Sequence, residues 1–176
     1  MIKLIVACDL DNGIGFNGQL PWRLKADMKH VRHITTSTTD ESFTNAVIMG
    51  RKTWESLPDR FKPLPDRINI VLSRTLEFTD SSKNTHSFPS LDEAISYAST
   101  QKEIEDVFIF GGGEIYREAL SSKICSVIHR TVVHLNSESD TFFPEIPEGY
   151  SLVDSSEVEE EDGIRFHFEV FCLDTL

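Results

Sequence analysis

The chain has 176 residues, 39% of them hydrophobic, and a formal net charge of -12. That suffices for one domain with a full core and falls short of two ordinary ones, and no apolar run reaches the roughly 18 residues of a membrane helix. The acidic balance argues against a nucleic-acid or anionic-membrane surface, while a small anionic ligand at a local basic cluster stays open. Cys8, Cys125 and Cys172 are widely spaced and match no zinc or CxxC pattern. They read as free thiols in a reducing compartment, so a cytoplasmic location and no metal site are expected.

In chain order, residues 2–10 read as a nearly continuous apolar strand; Asp9 and Asp11 interrupt too early for a signal segment. A loop with Gly13, Gly15 and Gly18 follows, Pro21 and Trp22 close it, and a helix runs from about residue 23 to Thr36. A polar connection over 35–44 leads to a buried strand at 45–49, ended by Gly50, and a short helix over 51–57, stopped by Pro58. A proline-marked loop over 58–66 precedes a strand at 67–72, and residues 75–87 are polar and weakly informative. Ser90-Leu-Asp-Glu has capping-box spacing and opens a helix to about Ser99. An apolar strand at 107–110 meets three glycines and a helix over 114–120, and strands follow at 126–135, about 150–157 and 164–172. Five acids fall among the six residues 157–162, before Gly163, which reads as a solvated hairpin tip. The pattern predicts a single α/β domain over 1–176. Its central sheet is mainly parallel, of about eight strands, with an antiparallel C-terminal edge and about four flanking helices.

Candidate chemistry starts at Asp27. At 100° per residue Leu24, Met28, Val31 and Ile34 share one helix face, and Asp27 falls inside that apolar sector. An inward carboxylate costs several kcal/mol unless donors meet it, so either a ligand or a structural partner faces it. Gly13-x-Gly15-x-x-Gly18 fits the dinucleotide fingerprint literally, but the helix starts too late; it reads as a lid carrying Phe16, Leu20 and Trp22, or as an ordinary tight loop. Gly111, Gly112 and Gly113 lie between strand and helix, where backbone N–H groups cradle a pyrophosphate; a close turn is the plainer reading. Gly50-Arg51-Lys52-Thr53 places two cations at a helix start, the unfavourable end of the dipole, and Ser73-Arg74 ends the next strand. Each alone fits a solvated surface; together, in so acidic a chain, they read as a phosphate site.

Longer stretches carry a resemblance: Leu20-Pro-Trp-Arg-Leu-Lys-Ala-Asp-Met, Val47-Ile-Met-Gly-Arg-Lys-Thr-Trp-Glu-Ser, Asn69-Ile-Val-Leu-Ser-Arg, Phe110-Gly-Gly-Gly-Glu-Ile-Tyr, Asp140-Thr-Phe-Phe-Pro-Glu-Ile and Gly163-Ile-Arg-Phe-His-Phe-Glu-Val. In order and spacing they resemble the dihydrofolate reductase family over essentially the whole chain. The resemblance implies NADPH-dependent reduction of 7,8-dihydrofolate to tetrahydrofolate, inhibition by antifolates such as methotrexate, and a monomer. It implies that Asp27 holds the pterin's 2-amino group and N3 and supports protonation at N5. Trp22 would fix an ordered water, Thr131 would bond the acid, and Tyr116 would lie near the nicotinamide. Ile5, Val6, Leu20, Met28, Val31, Leu57, Leu64 and Phe110 would line the substrate pocket, with Arg67 clamping the tail's α-carboxylate. The implied cofactor residues are Ala7, Ile14, Gly18, Gly50, Arg51, Lys52, Thr53, Leu72, Ser73, Arg74, Gly111, Gly112, Gly113, Glu114, Ile115 and Tyr116. Arg51 and Arg74 would meet the 2′-phosphate, and a cis peptide is implied between Gly111 and Gly112. The chain departs at Val31, where the family usually has phenylalanine, at Phe110, usually smaller and aliphatic, and at Pro89, basic in some relatives.

Overall fold

The computed structural model describes residues 1–75 and 84–174. Its elements are β1 (Ile2–Asp9), β2 (Gly13–Gly15), α1 (Lys25–Thr36), β3 (Thr44–Gly50), α2 (Arg51–Ser56), β4 (Arg67–Leu72), β5 (Thr85–Phe88), α3 (Leu91–Thr100) and β6 (Ile104–Ile109). They continue as α4 (Gly113–Ser121), β7 (Val127–Val133), β8 (Thr141–Phe142), β9 (Tyr150–Ser155), β10 (Glu159–Glu161) and β11 (Ile164–Leu173). Nine strands form one sheet in the order β10-β11-β7-β1-β6-β3-β4-β5, with β9 on a further stretch of β11. All pairs from β7 to β5 are parallel, and the β11 pairs are antiparallel. This is the expected α/β architecture. Among the described residues no helix is long and apolar enough to cross a membrane.

The apolar strands β3, β4 and β6 are buried on both faces, as parallel strands between helical layers must be. Alternation divides β1: Leu4, Val6 and Cys8 join the main core with α3 and α4, whereas Ile5 and Ala7 face α1. Ser90 caps α3, its Oγ accepting from Glu93 N–H at 3.2 Å, as the capping-box spacing predicts.

Four short strands, β2, β8, β5 and β10, are additions to the sequence reading. Part of the Gly13 loop is β2, paired with β8, so the loop is built into a small second sheet. Thr85–Phe88 adds an edge strand where the sequence was weakly informative; the first part of that stretch, 76–83, lies outside the described residues. The acidic run contains β10, which turns back through Asp162 and Gly163, both at positive φ, the requirement of a two-residue hairpin turn.

Candidate active site

α1 organises the site. The apolar residues of its inner face touch two separate clusters. At the N-terminal end Leu24 and Ala26 meet Trp22, Val133, Phe166 and Phe168. At the C-terminal end Val31 and Ile34 meet Ile5, Val47, Met49, Val71 and Phe108, together with Leu57, Leu64 and Phe110. Asp27 lies between them. The buried residues of α1 are two polar ones, Asp27 and Thr35, the reverse of an ordinary amphipathic helix. They are eight residues apart, about 12 Å along the axis.

Asp27 is 7% exposed, and its Oδ1 accepts a 2.7 Å hydrogen bond from the Thr131 hydroxyl on β7. Burial raises its pKa, and the Thr131 bond opposes only part of that rise. No cation pairs with it among the described residues, so the structural-partner alternative reduces to one hydroxyl. In the cluster at this end of α1 Trp22 is buried, and its indole N–H has no partner among the described residues.

At the other end Arg67 is 5% exposed. Its Nη1 donates to Thr35 Oγ1 at 2.9 Å and its Nε to the Pro65 carbonyl at 2.9 Å. Burial, then Arg32, lower its pKa to about 10, and Asp66 opposes them. It forms no ion pair among the described residues, and a pKa of about 10 keeps the buried guanidinium charged at neutral pH with no internal anion beside it among those residues. The wall between is fixed by Asn69, which accepts from Leu64 N–H at 2.9 Å and donates to the Leu64 carbonyl at 3.0 Å.

One expected pocket residue does not face this cleft. The Val6 side chain belongs to the opposite face of the sheet, because strand alternation puts it with Leu4 and Cys8. Met28, on the predicted apolar face, is 49% exposed and Leu20 55% exposed. The wheel identifies a face, but α1 is anchored at its two ends, which leaves the middle of that face to the cleft.

A second cradle adjoins the first. β3 and β6 are parallel neighbours, so the starts of α2 and α4 emerge side by side at their carboxyl ends, where open α/β sheets bind ligands. Gly50 N–H donates to the Gly111 carbonyl at 2.8 Å, and neither helix start has a side-chain cap. The glycines differ in cause. Gly111 has φ 97°, and a Cβ there would lie 2.6 Å from the Tyr116 ring. A Cβ on Gly113 would meet the Phe142 carbonyl at 3.2 Å and Thr141 at 3.3 Å. Packing therefore requires glycine at 111 and leaves position 113 tight, but a Cβ on Gly112 would meet only Thr53 Oγ1, at an ordinary 3.6 Å. The Gly111–Gly112 peptide is cis, as the resemblance implies.

Ile14, Leu72 and Ile115 are half-buried around this cradle, and Arg51, Lys52, Arg74 and Glu114 are exposed. Arg51 Nη1 lies 3.8 Å from Glu55, and Ser73, at the end of β4, has its Oγ 3.3 Å from Thr75 N–H. The Tyr116 hydroxyl is buried within 2.8 Å of the Ile5 carbonyl and 2.7 Å of the Phe110 carbonyl, and burial raises its pKa. Gly18 stands at φ 75° with open space around its Cα, beside Asn17 at φ 50°. The turn is tied down where Asn17 N–H donates to Asp140 at 2.9 Å.

The match with known proteins covers the same ground. The family model for dihydrofolate reductase matches residues 1–173. The chain belongs to the dihydrofolate reductase family. It is 41% identical to a dihydrofolate reductase of Drosophila melanogaster over 173 residues, 96% of this chain and 95% of that one. A dihydrofolate reductase of Heliothis virescens is 38% identical over 97% of both chains. A bifunctional dihydrofolate reductase-thymidylate synthase of Arabidopsis thaliana is 41% identical over 96% of this chain and 34% of its own length. The protein is therefore an oxidoreductase. Thr35, Asn69 and Asp9 escaped the sequence reading. A buried Asn inside an apolar strand was an available signal for Asn69, and Asp9 organises the Gly13 loop through Gly13 N–H at 2.8 Å. Thr35, in a run of Ser and Thr, had none.

Proposed function

We propose that the chain reduces 7,8-dihydrofolate to tetrahydrofolate with NADPH. The observation that carries this reading is the pair of buried ionisable groups, Asp27 and Arg67, at the two ends of α1's inner face, neither of them ion-paired among the described residues. Asp27 offers two carboxylate oxygens to a heterocycle edge with two N–H donors, and Arg67 offers a fork to a carboxylate. Dihydrofolate carries both groups, joined by an aromatic spacer suited to Val31, Leu57, Leu64 and Phe110. Val31 in place of a ring forgoes aromatic contact of about 1 kcal/mol.

The second cradle suits a phosphorylated dinucleotide. Gly112, which packing does not require, lets backbone approach a pyrophosphate at the start of α4, with Lys52 and Thr53 beside it. Arg51 and Arg74 would supply positive charge for a 2′-phosphate, and Ala7, Ile14, Gly18 and Tyr116 would surround the nicotinamide. When bound, NADPH supplies the hydride that reaches pterin C6. Asp27 fixes the pterin edge and favours the protonated form of its surroundings, the Trp22 N–H holds a water toward N5, and Thr131 keeps the carboxylate oriented. A cytoplasmic monomer inhibited by methotrexate belongs to the same reading.

The test is loss of reduced-nicotinamide absorbance with dihydrofolate, with a tail-less dihydropterin, and with methotrexate. Turnover of dihydrofolate, weak saturation by the tail-less compound and block by methotrexate are expected. Equal use of both substrates would remove Arg67 from recognition and favour a reductase acting on a different pterin.

A further inference from the structure

α1 has no cap of its own. Its N-cap position is Leu24, which has no side chain able to accept, and the Ser, Thr, Asp or Asn that usually serves is missing. The acceptor comes instead from 136 residues away. Glu161, the last residue of β10, takes Lys25 N–H on Oε2 at 2.7 Å and Ala26 N–H on Oε1 at 2.9 Å. Both oxygens are used, on the two N–H groups immediately before Asp27. The same hairpin supplies the packing beneath: Phe166 and Ile164 of β11 lie against Trp22 and Leu24. One turn further on, His30 stacks on Phe168, ring centroids 3.7 Å apart. Three successive contacts thus join the β10–β11 hairpin to the helix that carries the acid.

We propose that Glu161 is a positioning residue for the reaction: its carboxylate clamps the first turn of α1, and through it the Asp27 carboxylate and the Trp22 indole. An acid in this place also complements the positive end of the helix dipole. The sense of the effect follows from geometry. Without the clamp the first turn of α1 frays, Asp27 loses its fixed distance to Thr131, and hydride transfer suffers more than ligand binding at the cradle on β3, β4 and β6. A misplacement of about 1 Å in a catalytic group costs up to about a hundredfold in rate.

The proposal rests on the dihydrofolate reductase reading, and the experiment separates the two. Wild type, Glu161→Ala, Glu161→Gln and the solvent-facing control Glu160→Ala are compared for kcat and KM with dihydrofolate, and for NADPH affinity by fluorescence titration. Expected are a fall in kcat of about tenfold or more in Glu161→Ala, a smaller fall in Glu161→Gln, which keeps one acceptor oxygen, and wild-type kcat in Glu160→Ala. NADPH affinity stays within about twofold throughout, since the clamp does not touch that cradle. Unchanged kcat in Glu161→Ala, or a parallel fall in kcat and NADPH affinity, overturns the clamp while leaving the enzyme reading intact. If Glu161→Ala does not fold, an unchanged kcat in Glu161→Gln overturns it equally. A folded wild type without turnover overturns the reading and the clamp with it.

Discussion

Asp27 sets the proposed function against stability. Burial raises its pKa, so the folded state favours the neutral carboxylic acid and an ionised Asp27 destabilises the fold at neutral pH. A group raised in this way contributes stability below its unfolded pKa of about 3.9 and loses it as pH rises through the folded value. Asp27→Asn is therefore expected to raise Tm at neutral pH, with the gain vanishing at pH values where both states are protonated; thermal melts at the two pH values check it. Arg67 carries the opposite charge at the other end of the cleft, and at about 10 its lowered pKa still leaves it ionised at neutral pH. Replacing it with Leu should raise KM for dihydrofolate by about 30-fold or more, the scale of losing one side of a buried charged hydrogen-bonded pair. A tail-less dihydropterin should show little change. Asp27 was legible in the sequence because a helix wheel exposes a carboxylate among apolar residues. The hydroxyls that receive these charges were not equally legible: Thr131 followed only from the family resemblance, and Thr35 from nothing at all.

At the scale of elements, local signals were readable and borrowed ones were not. Ser90 caps α3 from three residues away, so the capping box announced itself. Ser90→Ala should cost about 1 kcal/mol, read as a lower urea midpoint with unchanged turnover. α1 draws its cap from Glu161, inside an acidic run that reads from sequence as solvent-facing. β5 was missed for a related reason. Thr-His-Ser-Phe has no alternation long enough to detect, and what holds it is tertiary: Phe88 and His86 pack on Tyr97, with ring centroids 5.0 and 4.9 Å apart. Val6 records the converse, a strand correctly placed whose alternation assigns one neighbour to the far side.

The whole molecule places the second cradle at the carboxyl ends of β3 and β6, and the cleft of α1 runs from Thr131 on β7 to Arg67 at the amino end of β4, on a chain of net charge -12. The mainly parallel sheet and its flanking helices were legible because buried parallel strands are continuously apolar; the strand order, and with it the juxtaposition of α2 and α4, needed the pairing of β3 with β6. Against so acidic a background the exposed Arg51, Lys52 and Arg74 gain specificity. Arg74→Ala should weaken NADPH binding by about tenfold and NADH binding much less, and the preference should shrink as salt is raised, which fluorescence titration would show. Turnover should fall as pH rises, because proton delivery beside a single acid becomes limiting; a kcat profile with no alkaline decline would contradict that. The most direct test of the central claim is the pre-steady-state rate of NADPH oxidation with dihydrofolate at neutral pH in wild type and Asp27→Asn. The buried carboxylate predicts rapid reduction by the wild type and a loss of about a hundredfold or more in the folded variant. A variant as fast as the wild type would contradict it.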